Sequence, residues 1–131
     1  MTREIIATDK AGRTRSPLSQ AVKVGDLVFV SGTTGYTASG TIAHGDFGAQ
    51  MRQVMENISA VLEAAGSSLG RAVKMNVILA RSADFAAMNE IYKTYFPDGS
   101  YPARTTIEAR LAREELLVEI ECVAEAREAG R

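Results

Sequence analysis

The sequence predicts an α+β domain: a sheet with two helices packed on one face. Three observations predict it. Strand-like runs open and close the chain, with helix, strand, helix between them. Each helical stretch carries a single apolar stripe, and the strands alternate so that each buries only one side. The 131 residues suit one domain, read here as residues 1–131. A chain of that length buries roughly two-thirds of its unfolded surface, so it needs no disulfide or metal to hold it.

Residues 3–7 read as a first short strand, and residues 8–19 are polar and form a loop. Two apolar runs, residues 20–24 and 27–31, flank Gly25-Asp26, which is a hairpin signal. Gly32, Gly35, Gly40 and Gly45 mark a turn-rich loop. Asp46 is placed to cap a helix whose stripe is Phe47, Met51, Val54, Ile58, Val61, Leu62 and Ala65, with Gly66 as its stop. Val73, Met75, Val77 and Leu79 alternate with Lys74, Asn76 and Ile78, as in a strand. Ser82 is expected to cap a second helix with the stripe Phe85, Met88, Tyr92 and Tyr95, ended by Pro97-Asp98-Gly99.

The last two strands carry the chemistry. Between residues 104 and 109, Arg104, Thr106 and Glu108 share one face. Between residues 116 and 124, Leu117, Glu119, Glu121 and Val123 share a face opposite Val118, Ile120, Cys122 and Ala124. If the apolar faces pack on the helices, the polar faces point together on the far side of the sheet. A hairpin across residues 110–115 would then pair Thr106 with Glu119 and Arg104 with Glu121. An arginine fork receives a carboxylate, and a carboxylate beside it moves protons. Opposite charges are also ordinary cross-strand partners, so a structural ion pair fits the same residues. Burial and the charge of Glu121 would raise the Glu119 pKa, and Arg104 would lower it. The apolar residues left on the open face call for a homo-oligomer to cover it.

Composition narrows the function further. Fifteen basic and sixteen acidic residues give a net charge of −1, without the basic footprint of a nucleic-acid binder. No apolar run exceeds four residues, so no membrane span is expected. The first residues lack the apolar core of a signal peptide, and a cytoplasmic location is expected. Cys122 is the single cysteine and falls on an apolar face, as a core residue rather than a nucleophile. His44 stands alone, with no metal-ligand cluster around it. The Gly35 to Gly40 spacing resembles a phosphate loop, but Thr41-Ile42 replaces the Lys-Ser/Thr pair that such a loop needs.

Several motifs together resemble the RidA (YjgF) family of reactive-intermediate enamine/imine deaminases. They are Pro102-Ala103-Arg104-Thr105-Thr106, Glu119-Ile120-Glu121, Ser31-Gly32, Glu63-Ala64-Ala65-Gly66 and Asp84-Phe85-Ala86-Ala87-Met88-Asn89. The resemblance implies chorismate-mutase-like subunits in a homotrimer, with clefts between them. It implies hydrolysis of 2-enamine or 2-imine acids to 2-keto acids and ammonia, with no cofactor and no metal. It places the carboxylate-binding arginine on Arg104 and the water-handling glutamate on Glu119. Ser31, Gly32, Thr106, Phe85 and Asn89 fall on substrate-binding positions. Leu18 stands where the best-studied branch has a tyrosine, and Thr33 where it often has glutamine. Two other readings compete: a 2-keto acid binding module of the same fold without turnover, and RNA cleavage.

Overall fold

Alternation and turn chemistry lay down a six-stranded sheet, seen in a computed structural model that describes residues 2–126. The strands are β1 (Arg3–Ile6), β2 (Ala21–Val24), β3 (Leu27–Thr33), β4 (Ala72–Leu79), β5 (Ala103–Glu108) and β6 (Val118–Glu125). Their spatial order is β1-β2-β3-β6-β4-β5, antiparallel throughout except for the parallel pair β4 and β5. The β2–β3 hairpin turns at Gly25-Asp26, with Val24 opposite Leu27 and Gly25 at φ 57°. A positive φ of this kind favours glycine.

Both helices cover one face. α1 (Phe47–Ala64) starts where Asp46 accepts a hydrogen bond from the Ala49 amide at 3.0 Å. Its stripe of Met51, Val54, Met55, Ile58 and Leu62 is fully buried against Val28, Met75, Val77, Val118 and Ile120. α2 (Phe85–Tyr92) is only eight residues long. The expected Ser82 cap is not formed. A short 3₁₀ turn, Ser82–Asp84, precedes α2, and the Ser82 amide donates to Glu108 Oε1 at 2.5 Å. Asp84 holds the cap position and is bonded by Arg81 at 3.0 Å.

The opposite face is open. Ile5, Leu27, Phe29 and Ile107 lie on it with 39–52% of their surface exposed. In its centre Asn76 Nδ2 donates to Glu121 Oε1 at 2.5 Å, and Lys74 Nζ donates to Thr105 Oγ1 at 3.2 Å.

The predicted β5–β6 hairpin does not exist. β5 pairs in parallel with β4, and β4 stands between it and β6. Residues 109–117 carry the chain past the end of β4, where the Ala109 amide donates to Leu79 O and the Ala80 amide to Leu117 O, both at 3.0 Å. The Thr106–Glu119 and Arg104–Glu121 registers are therefore replaced. Arg104 lies beside Met75, which lies beside Cys122, while Glu121 lies beside Asn76, which lies beside Thr105.

Candidate active site

Residues 7–20 are polar because they fold back as a tethered loop rather than as a strand. The Thr8 amide donates to Gln20 Oε1 at 2.7 Å, and Gln20 Nε2 donates to Gly12 O at 3.2 Å. Ser31 closes the tether: its hydroxyl donates to Ser19 O at 2.6 Å and its amide to Gln20 O at 3.0 Å. Between this loop, the end of β3 and the crossover before β6 lies a cavity of about 540 Å³. Its wall brings together Leu18, Ser31, Gly32, Thr33 and Glu119.

Glu119 enters this cavity from the open face of the sheet, beside Ile78. The register of β3 against β6 shifts between Val30 and Thr33, and Gly32 sits in the irregular stretch. A Cβ on Gly32 would lie 3.0 Å from Glu119 Cδ and nearer still to a carboxylate oxygen. Glycine is thus what leaves room for the acid. Burial, and then the charge of Glu121, push the Glu119 carboxyl above its ordinary value. Arg104 contributes nothing to that shift, contrary to the expectation from sequence.

Arg104 belongs to a different place. It projects to the helix side of β5, where its Cζ stands 4.8 Å from the Tyr92 ring centroid and 6.0 Å from that of Phe85. One guanidinium nitrogen lies 3.7 Å from Met88 Sδ. Stacking on aromatic faces keeps the charge without a carboxylate, and contributes roughly 0.5–2 kcal/mol. Neither Arg104 nor Glu119 joins an ion pair among the described residues. Thr106, two residues on, has a buried hydroxyl with no hydrogen-bond partner among them, as does Tyr92. Asn89 lies one helical turn from Phe85, partly exposed. Burial pushes the Tyr92 hydroxyl and the Cys122 thiol up to about 12, so neither ionises at neutral pH.

The structure therefore makes two clusters from the sequence-named residues. Leu18, Ser31, Gly32 and Glu119 form one. Arg104 with Phe85 forms the other, with Thr106 two residues on along the same face of β5 and Asn89 one helical turn from Phe85. Within one chain they lie on opposite faces of the sheet, which corrects the expectation that the arginine and both carboxylates share a face. That expectation rested on polar residues avoiding the helix layer. At the sheet edge α2 is short, and its Tyr92 and Met88 give an arginine a surface to lie on.

Sequence reasoning missed the loop residues that complete the cavity wall: Tyr36, Arg13, Arg15 and Arg113. It also missed Gln50 and Asn57, buried polar groups of α1. Gln50 Nε2 donates to Ala43 O and Glu115 O, and its Oε1 accepts from the Leu117 amide. Asn57 Nδ2 donates to Thr34 O at 2.9 Å and Tyr36 O at 2.8 Å. A signal was present: Gln50, Gln53 and Asn57 recur at helical spacing beside the apolar stripe. Among the described residues no three His, Cys, Asp or Glu side chains cluster as a metal site. No helix among them is long and apolar enough to cross a membrane.

Residues 8–126 match the family model described as endoribonuclease L-PSP. A RutC family protein of Pyrococcus abyssi is 43% identical over 125 residues, covering 95% of this chain and 98% of that one. The mouse 2-iminobutanoate/2-iminopropanoate deaminase is 39% identical over 123 residues, covering 93% and 90%. The crystal structure of RidA from an Antarctic Psychrobacter superimposes with a TM-score of 0.88 at 40% identity, covering 93% and 98%. The chain belongs to the RidA (YjgF) family.

Proposed function

We propose that this protein hydrolyses 2-imine or 2-enamine acids to 2-keto acids and ammonia, in sites shared between copies of the chain. The observation that carries the reading is the pair of incomplete half-sites: an arginine without a carboxylate partner, and a half-buried carboxylate without a cationic one. A second copy would bring the Arg104 edge of one chain against the Glu119 cavity of another. The apolar open face, with Phe29 and Ile107 exposed, supports such an assembly, which we take to be a trimer. Relatives named as imine deaminases support the chemistry. The family match over residues 8–126 supports one domain over residues 1–131.

Arg104 would bind the substrate carboxylate in bidentate fashion, its flat face held by Tyr92. The Thr106 hydroxyl, and polar groups of Ser31 and Gly32, would orient the bound acid, with Phe85, Asn89 and Leu18 as walls. Glu119, with its raised pKa, would take a proton from water as the oxygen bonds to the imine carbon. That proton would pass to nitrogen to give a carbinolamine; the hydroxyl proton would then follow it through Glu119 to nitrogen as the C=O bond forms and the C–N bond breaks, leaving ketone and ammonia. General acid–base help of this kind is worth about 10²–10⁴-fold. The chemistry needs no cofactor, and the near-even charge of the chain favours a small acid over a nucleic acid as ligand. We place the activity in the cytoplasm.

The test is ammonia release from 2-imino acids generated in situ by an amino-acid oxidase. The protein should accelerate it, and Arg104→Ala should abolish the acceleration. Equal rates with and without protein across a panel of imines refute the reading. Keto-acid binding without turnover would then become the better account, seen as a rise in melting temperature.

A further inference from the structure

Three arginines line the cavity that holds Glu119: Arg13 and Arg15 from the N-terminal loop, and Arg113 from the crossover before β6. Among the described residues Glu119 is the one carboxylate on that wall. The chain as a whole carries a charge of −1, so this concentration of positive charge is local. Arg13 and Arg15 have no acidic partner within ion-pair distance among the described residues, and nor does Arg113. Glu115, which feels the charge of Arg113, is bonded by the Tyr36 hydroxyl. Arg113 faces the same hydroxyl. The cavity, at about 540 Å³, is of the size that small ligands occupy. Guanidinium groups outside any ion pair, set around a hollow, form a receptor for a carboxylate, and the loop that carries two of them is anchored through Gln20 and Ser31.

We propose that the substrate is the imine of an acidic amino acid, whose side-chain carboxylate is received by Arg13, Arg15 and Arg113. This assignment rests on the deaminase reading, in which Arg104 of a neighbouring copy takes the other carboxylate. The two carboxylates of a four- or five-carbon dicarboxylic imine are then held at opposite ends. Glu119 and its water act at the imine carbon between them. A neutral side chain leaves the three arginines solvated and gains nothing from them.

The experiment compares kcat/KM for imines made by oxidases from glutamate or aspartate with those from alanine or leucine. The wild-type protein should favour the acidic imines. In a variant carrying Arg13→Gln, Arg15→Gln and Arg113→Gln, the acidic-to-neutral ratio should fall about tenfold to a hundredfold, the loss expected for charge-assisted hydrogen bonds. A wild-type preference for neutral imines, or an unchanged ratio in the variant, overturns the proposal. A second arm needs no turnover. 2-Oxoglutarate should raise the melting temperature of the wild-type protein more than 2-oxobutanoate does, and the triple variant should lose that difference. If inorganic phosphate gives the same rise as 2-oxoglutarate, the arginines form a simple anion site and the dicarboxylate assignment falls. If no imine is hydrolysed at all, the deaminase reading fails, while the melting arm still decides the anion site.

Discussion

Two single variants can separate a site shared between chains from a site within one chain. Arg104→Ala removes the guanidinium that lies on Tyr92, and Glu119→Gln removes the acid of the cavity; each alone should be inactive. The two side chains project from opposite faces of one sheet, so a site containing both must draw them from two copies. If the variants are co-expressed in equal amounts and assemble at random, a given site draws its arginine from an Arg-intact chain half the time. It draws its glutamate from a Glu-intact chain half the time. About a quarter of the sites are then whole, whatever the closed symmetry, and activity should return to about 25% of wild type. The assay is ammonia release from an imine generated in situ, with tags of different mass to verify mixed assembly. A mixture of separately assembled variants is the control and should stay inactive until it is unfolded and refolded together. Verified mixed oligomers with no more activity than either parent would refute the two-chain site.

Three further outcomes follow from the same geometry. Gly32 is not at positive φ, so its backbone accepts alanine, but the added Cβ would displace the Glu119 carboxylate. Gly32→Ala should therefore cost more than about tenfold in kcat with little change in melting temperature; unaltered kcat would count against Glu119 as the acid–base group. The Glu119 pKa is raised in the folded chain, so its contribution to stability is full below the ordinary carboxyl value and is lost as pH rises through the folded one. Glu119→Gln lacks that loss, and its melting temperature should pull ahead of wild type as pH climbs from acid to neutral; a gap that narrows instead contradicts the shift. Asn57→Ala strips two donors from half-buried loop carbonyls. It should cost about 2–3 kcal/mol, or roughly 10 °C in melting temperature, by calorimetry.

What could be read from the sequence was set by local chemistry. Asp46 before an apolar stripe, Gly25 in a two-residue turn and the alternation of β4 each fix an element through contacts a few residues apart. Which faces the Arg104 strand and the Glu119 strand present depends instead on the neighbours of each strand. The sequence shows two alternating strands joined by residues 109–117 and is silent on whether a third strand intervenes. Once β4 lies between them, parity alone sends Arg104 toward Met75 and Glu119 toward Ile78, on opposite sides. The arginine then needs a surface on the helix side, which Tyr92 supplies, and the acid needs an unhindered approach on the other, which Gly32 supplies. Each of these residues is intelligible only with the partner that folding brings to it. On the proposed mechanism, the same argument explains why an isolated subunit would hold both groups and yet lack a site. The sheet that positions both groups also keeps them apart, so on the proposed reading a small acid bridges them only where the edge of one copy meets the cavity of another.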